Sequence, residues 1–187
     1  MQLKNKSNLF CMKRILFVAL CVLYSLSTIA GNKDVIMIDT NDDNGRIIIT
    51  KAERLYSKSG FHADYHISAA THDGDTIYSL ILEYKELIPI LDKGKKLLLK
   101  LENGDIVVLT SDLDNYRKSY EPTLDVSYSI SIDDLKKIAS NEVVKVRIET
   151  NTEFLDREVK KFNKNFSKLY EALFKRLKEN QSIFDNF

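Results

Sequence analysis

Two Asx-Gly dipeptides, Asp73-Gly74 and Asn103-Gly104, each stand between apolar runs of strand length. Such pairs favour the φ > 0 backbone of a two-residue hairpin loop, so they commit the chain to antiparallel pairing. Counting outward from Asp73-Gly74 sets Tyr65 opposite Leu82, Ile67 opposite Leu80 and Ala69 opposite Tyr78. One face is therefore apolar on both strands. The reverse face carries Asp64 opposite Glu83, His66 opposite Ile81 and Ser68 opposite Ser79. Agreement from both strands supports this register.

The same two-residue pairing around Asn103-Gly104 sets Leu97, Leu99 and Leu101 against Thr110, Val108 and Ile106. The back of that hairpin holds Leu98, Val107 and Leu109 among Lys100, Glu102 and Asp105. Apolar residues on both faces predict central strands covered by a second layer. Further strands are expected near residues 35–38, 46–55, 124–132 and 143–148. Ser131 reads as an N-cap with Asp133 and Asp134 in the first turn of a short helix reaching Ser140.

Leu155, Val159, Phe162, Phe166, Leu169 and Leu173 recur at helical spacing and predict a long helix over 153–179. At ~1.5 Å per residue it would run to roughly 40 Å, about twice a typical strand. That length predicts an overhang, with Phe174 and Leu177 offering a homodimer or partner contact. The expected fold is one α+β domain over 46–187. It comprises a mainly antiparallel β-sheet, sandwich or half-barrel, with a short helix and one long C-terminal helix packed on it.

Residues 1–30 read as a secretory signal peptide. Lys4, Lys6, Lys13 and Arg14 precede an apolar run from Ile15 to Leu26, and Thr28 and Ala30 place small side chains before Gly31. About a dozen apolar residues are too few to span a bilayer, which takes ~20. Met12 makes a compact alternative start, and Leu20 before Cys21 argues against lipidation there. Residues 31–45 read as a flexible leader.

Removing 30 of 187 residues takes away four basic residues and both cysteines, Cys11 and Cys21. The remainder, with 24 Lys and Arg against 27 Asp and Glu, carries a formal charge of −3. It can form no disulfide, and its charge gives no reason to expect nucleic acid. It has no further long apolar segment, so it is not expected to be an integral membrane protein.

The three histidines, His62, His66 and His72, fall within eleven residues. His62, Asp64 and His66 share a strand face, and Asp64 lies across from Glu83. A cation would relieve that repulsion, so His62, Asp64, His66 and Glu83 form the candidate metal site. Only an adjacent subset can serve, since residues four apart on a strand lie ~13 Å from each other. Asp39, Asn41 and Asp43 before Asn44-Gly45 are similar to a calcium-loop start, but Thr50 stands where a bidentate Glu is needed. Asp112 and Asp114 read as turn carboxylates, and Tyr116 and Tyr120 as a small aromatic platform in the 111–122 loop. No catalytic constellation and no cofactor fingerprint is legible.

The run from Ile90 to Leu109, with its Asp-Lys-Gly turn, Leu-rich strand and Asn-Gly hairpin, resembles small exported β-rich proteins of unknown function from Gram-negative gut anaerobes. The strand–helix–strand pattern from Tyr128 to Ile148 is similar to them too. The resemblance implies export and a β-rich fold, and carries no site residues. The sequence thus leads to an exported, non-enzymatic binding module of the periplasm or cell surface, with a protein or envelope partner. A small-ligand or divalent-cation binder is the alternative.

Overall fold

The computed structural model describes residues 35–42, 45–58, 61–85, 91–112, 123–159 and 163–184. Residues 1–30, expected to be a signal peptide, lie outside them. Among the described residues ten strands form one antiparallel sheet. They are β1 (Ile36–Asp42), β2 (Gly45–Thr50), β3 (Glu53–Lys58), β4 (Phe61–His72), β5 (Asp75–Lys85), β6 (Lys96–Leu101), β7 (Ile106–Ser111), β8 (Leu124–Ile130), β9 (Val143–Glu149) and β10 (Phe154–Glu158). Helix α1 (Ile132–Ser140) joins β8 to β9, and α2 (Asn163–Phe184) follows β10. The sheet order is β1-β2-β4-β5-β8-β7-β6-β9-β10, with β3 on β4.

The strands form one continuous sheet around a single core. Twist accumulates across so many strands and curls them around one core. Inward residues of β4, β5, β6, β8 and β9 join one apolar cluster, closed by Phe166, Leu169 and Leu173 of α2. The two ends of the curl approach each other, where the Arg157 guanidinium of β10 lies 5.9 Å from the centre of the Tyr56 ring of β3.

The β4–β5 hairpin follows the expected register, including Tyr65↔Leu82, Asp64↔Glu83 and His66↔Ile81. Asp73 (φ 51°) and Gly74 (φ 85°) both take positive φ, as a type I′ loop requires. At twelve residues β4 is long enough to hold two partners end to end, β3 along its first half and β2 along its second. The run expected as one strand over 46–55 therefore breaks at Lys51-Ala52. There Thr50 Oγ1 accepts from the Ile67 amide at 2.9 Å, in place of a ladder bond.

The β6–β7 hairpin is one residue out of the expected register. Leu97 pairs with Leu109, Leu99 with Val107 and Lys100 with Ile106. Gly104 takes φ 93°, but Asn103 does not take positive φ, so no type I′ loop forms. The loop instead has three residues. Gly104 N donates to the Leu101 carbonyl at 3.0 Å, and Leu101 N donates to the Asp105 carbonyl at 2.8 Å. Gly104 is the left-handed third residue of such a loop, not the second of a tight pair. A one-residue shift exchanges the faces. Val107, Leu109 and Ser111 go inward, while Ile106 and Val108 point to solvent, 57% and 50% exposed. Among the described residues no second layer covers them.

Two further expectations are corrected. The strand expected near 35–38 forms and is longer than expected: residues 36–42, most of the segment read as a leader, pair along β2 from Ile36↔Thr50 to Asp42↔Gly45. The ordered sheet thus starts before residue 46. The C-terminal helix begins at Asn163, not 153, because residues 154–158 form β10 against β9. Thr150 turns the chain there, its Oγ1 donating to the Glu153 carbonyl at 2.8 Å and accepting from the Glu153 amide at 3.0 Å. The short helix α1 is as expected, with the Ser131 hydroxyl accepting from the Asp134 amide.

Helix α2 packs on the sheet against β1, β2 and β4. Phe166 stacks on Tyr65 with ring centres 5.9 Å apart, and Phe174 on Tyr78 at 5.5 Å. Phe174 and Leu177, the residues expected to meet a second copy or partner, are packed against this chain's own core.

Asp39 of β1 ties that helix to the sheet edge. Its carboxylate accepts from Arg46 Nε at 2.8 Å and Nη2 at 2.9 Å, and from Arg176 Nε at 2.6 Å. The carboxylate compared with a calcium-loop ligand is thus held by two guanidinium groups, and Asp43 and Asn44 lie outside the described residues. The Arg46 bonds, aided by Arg176, outweigh desolvation and hold the Asp39 carboxyl below its ordinary range. A lowered folded pKa means that the unfolded chain binds this proton more tightly. The stabilisation is then complete above ~pH 4, the unfolded value, and is lost as pH falls through the folded one. Asp39→Asn should flatten that part of the acid limb of a pH–melting curve. At pH 7 it should cost about 2 kcal/mol, because the buried Arg46 loses its anion. Differential scanning calorimetry from pH 2 to 7 checks both.

Candidate functional site

Register alone aligns three carboxylates across the back of the sheet: Asp64 opposite Glu83, and Glu83 opposite Asp125. Asp64 and Glu83 are 8% and 9% exposed. Buried carboxylates that face each other need cations, and this chain supplies them from its own strands. Arg54 Nε of β3 donates to Asp64 Oδ1 at 2.5 Å. Lys85 Nζ lies 3.4 Å from Asp64 Oδ2 and 3.2 Å from Glu83 Oε1. Burial works against the Lys85 charge, but the Glu83 hydrogen bond and the charges of Glu83 and Asp64 together raise its pKa.

The expected metal site is therefore only partly assembled. Asp64 and Glu83 come together, and His62 Nε2 lies 3.9 Å from Asp64 Oδ2. His66 is engaged elsewhere, with Nδ1 3.0 Å from the Thr50 carbonyl at the β2–β3 break. A carbonyl only accepts, so Nδ1 carries the proton and His66 acts as a structural pin. Among the described residues no three His, Cys, Asp or Glu side chains are grouped to hold a metal ion. Lys85 sits where a cation would. His72 reaches Asp73 at 3.2 Å, at the exposed hairpin tip. Asp112 accepts from the Ser129 hydroxyl at 2.5 Å, while Asp114, Tyr116 and Tyr120 lie outside the described residues.

A different surface emerges on the outer face of β7, β6, β9 and β10. Its cross-strand rows run Val108–Leu98–Arg147–Asp156 and Ile106–Lys100–Lys145–Glu158. Ile106, Val108 and, near the β9–β10 turn, Phe154 (62% exposed) leave large apolar side chains in water. Between the rows lies a depression of about 220 Å³ lined by Leu98, Lys100, Ile106, Lys145 and Arg147.

The electrostatics there are lopsided. Asp156 binds two of the three cations: Arg147 reaches it through Nε at 2.6 Å and Nη2 at 2.8 Å, and Lys145 Nζ at 2.9 Å. The bonds from Arg147 and then Lys145 press the Asp156 pKa far below a normal carboxylate. The Arg147 guanidinium also lies 5.9 Å from the centre of the Phe154 ring. Lys100 stands directly opposite Lys145. Sequence reasoning missed this surface because the two-residue register turned Ile106 and Val108 inward.

Comparison with protein-family models, curated proteins and solved structures finds no match for this chain. The functional reading therefore rests on the geometry itself. Among the described residues no helix is long and apolar enough to cross a membrane.

Proposed function

We propose that this protein is an exported, non-enzymatic binding module of the cell envelope, and that the outer face of β7, β6 and β9 is its docking surface. One observation carries the reading. Ile106 and Val108 lie on the part of β7 that pairs with β6 alone, since only Thr110 and Ser111 reach β8, and both are at least half exposed on the outer face. Large apolar side chains grouped on one face and left in water mark a contact surface. The export pattern of residues 1–30 supports the envelope setting. The burial of Asp64 and Glu83 against Arg54 and Lys85 supports a structural use for the opposite end of the sheet.

Two experiments test the halves of the proposal separately. N-terminal sequencing of native protein from the envelope fraction should begin near Gly31; material retaining Ile15 to Leu26 would contradict export. A photo-crosslinking amino acid at position 108 should give discrete adducts in cells, and one at Lys136 on α1 should give none. Equal labelling from both positions, or none from 108, would remove the docking face.

A further inference from the structure

We infer that the depression between Lys100 and Lys145 binds a small amphiphile, a carboxylate or phosphate head joined to an apolar chain. This inference rests on the docking-face reading and gives that face a ligand. Lys100 and Lys145 are direct cross-strand partners, and like charges so placed repel. Arg147 adds a third cation to the lining, and Asp156 answers Arg147 and Lys145 only. Among the described residues Lys100 has no ion pair. An anionic head between the two ammonium groups removes the repulsion and gains charge-assisted hydrogen bonds.

The rest of the lining sets the remainder of the ligand. Leu98 and Ile106 form an apolar wall, and Val108 continues it along β7 as the cross-strand neighbour of Leu98. A free inorganic anion would leave that wall in water. The volume, about 220 Å³, is below the roughly 300–1,000 Å³ of a drug-sized site. It encloses a head and the first carbons of a chain, with the tail lying over Ile106 and Val108. A cationic head would meet three cations, and a neutral one would relieve no repulsion.

Calorimetric titration of the purified protein tests this with octanoate and octyl phosphate below their micelle concentrations. Octanol, octyltrimethylammonium and inorganic phosphate serve as comparison probes. One site per chain is expected for both anionic amphiphiles, with inorganic phosphate and octanol each at least about tenfold weaker and octyltrimethylammonium silent. Lys100→Glu should weaken octyl phosphate at least about tenfold, the order expected for a lost charge-assisted contact. Its melting temperature should not fall, since the side chain is exposed and the change replaces a repulsive cross-strand pair with an attractive one. Lys136→Glu on α1 should bind like the parent.

Octyltrimethylammonium binding as well as octyl phosphate would mean plain apolar adhesion and would overturn the inference, as would a Lys100→Glu variant of parental affinity. Absence of amphiphile binding while position 108 still crosslinks to a protein would remove the ligand and leave the docking face. Failure of both would remove both.

Discussion

Gly45→Ala should lower the melting temperature by about 10 °C, the largest effect expected from one added methyl group in this protein. Gly45 opens β2 at φ 119°, a conformation that L side chains rarely adopt. A Cβ there would stand 2.2 Å from the Thr71 carbonyl oxygen and 3.3 Å from the His72 Cα. Both neighbours are backbone of β4, which is fixed by β5 on its other side, so neither can swing away. Strain of ~1–3 kcal/mol in the backbone plus the clash puts the cost on the order of 3 kcal/mol or more. For a chain of this size each kcal/mol is worth about 2–4 °C. Gly94→Ala provides the comparison. It also has positive φ, 88°, but a Cβ would meet nothing within 4 Å, so only the conformational cost of about 1 kcal/mol applies. Thermal melts of the two variants separate the terms. Equal losses would mean that β2 does not approach Thr71 as described.

Phe166→Ala should cost about 3–5 kcal/mol, the range for truncating a fully buried aromatic. Phe166 is completely buried, and its ring stacks on Tyr65 of β4 in the first turns of α2. Removing it empties the space between helix and sheet and takes away an aromatic contact as well. Nearby elements cannot collapse into the gap, because Ser167 Oγ holds the Ala139 carbonyl of α1 at 2.6 Å. Urea unfolding should show a lower midpoint with little change in slope. Stability within ~1 kcal/mol of the parent would contradict the packing of α2 against the sheet.

What could be read from the amino acids depended on how many constraints met at one place. At β4–β5, an Asp-Gly pair that adopts positive φ coincides with a face apolar on both strands, and the register followed. At α1, Ser131 and two aspartates mark the start as clearly as any local signal does. At β6–β7 the flanking strands are apolar on both faces, so alternation cannot choose between registers one residue apart. The choice rested on Asn103-Gly104 alone, and that pair suits a three-residue loop as well.

The start of α2 failed for a similar reason. Leu155 and Val159 fit the helical stripe, yet Phe154, Asp156 and Glu158 alternate as an outward strand face against β9. The turn at Thr150 decided between them. The Asp64–Glu83 pair was legible because it needs only one hairpin register, whereas Asp125 joins the row through the β5–β8 pairing. The pair's neutralisation was legible in Lys85, two residues from Glu83 on the same strand, but not in Arg54, which comes from β3, a strand that begins inside a longer apolar run. The amphiphile depression draws on β6, β7 and β9, brought together by a sheet order that no local pattern encodes.

The proposed binding face stands on Ile106 and Val108 pointing outward, and cysteine accessibility measures that orientation directly. With Cys11 and Cys21 changed to serine the chain has no other thiol, so single cysteines at 106, 107, 108 and 109 report without background. Native protein should react with a maleimide rapidly at 106 and 108, and at 107 and 109 only after unfolding. Rapid labelling at 107 and 109 with protection at 106 and 108 would restore the two-residue loop, turn the apolar residues back into the core, and remove the surface on which the functional reading is built.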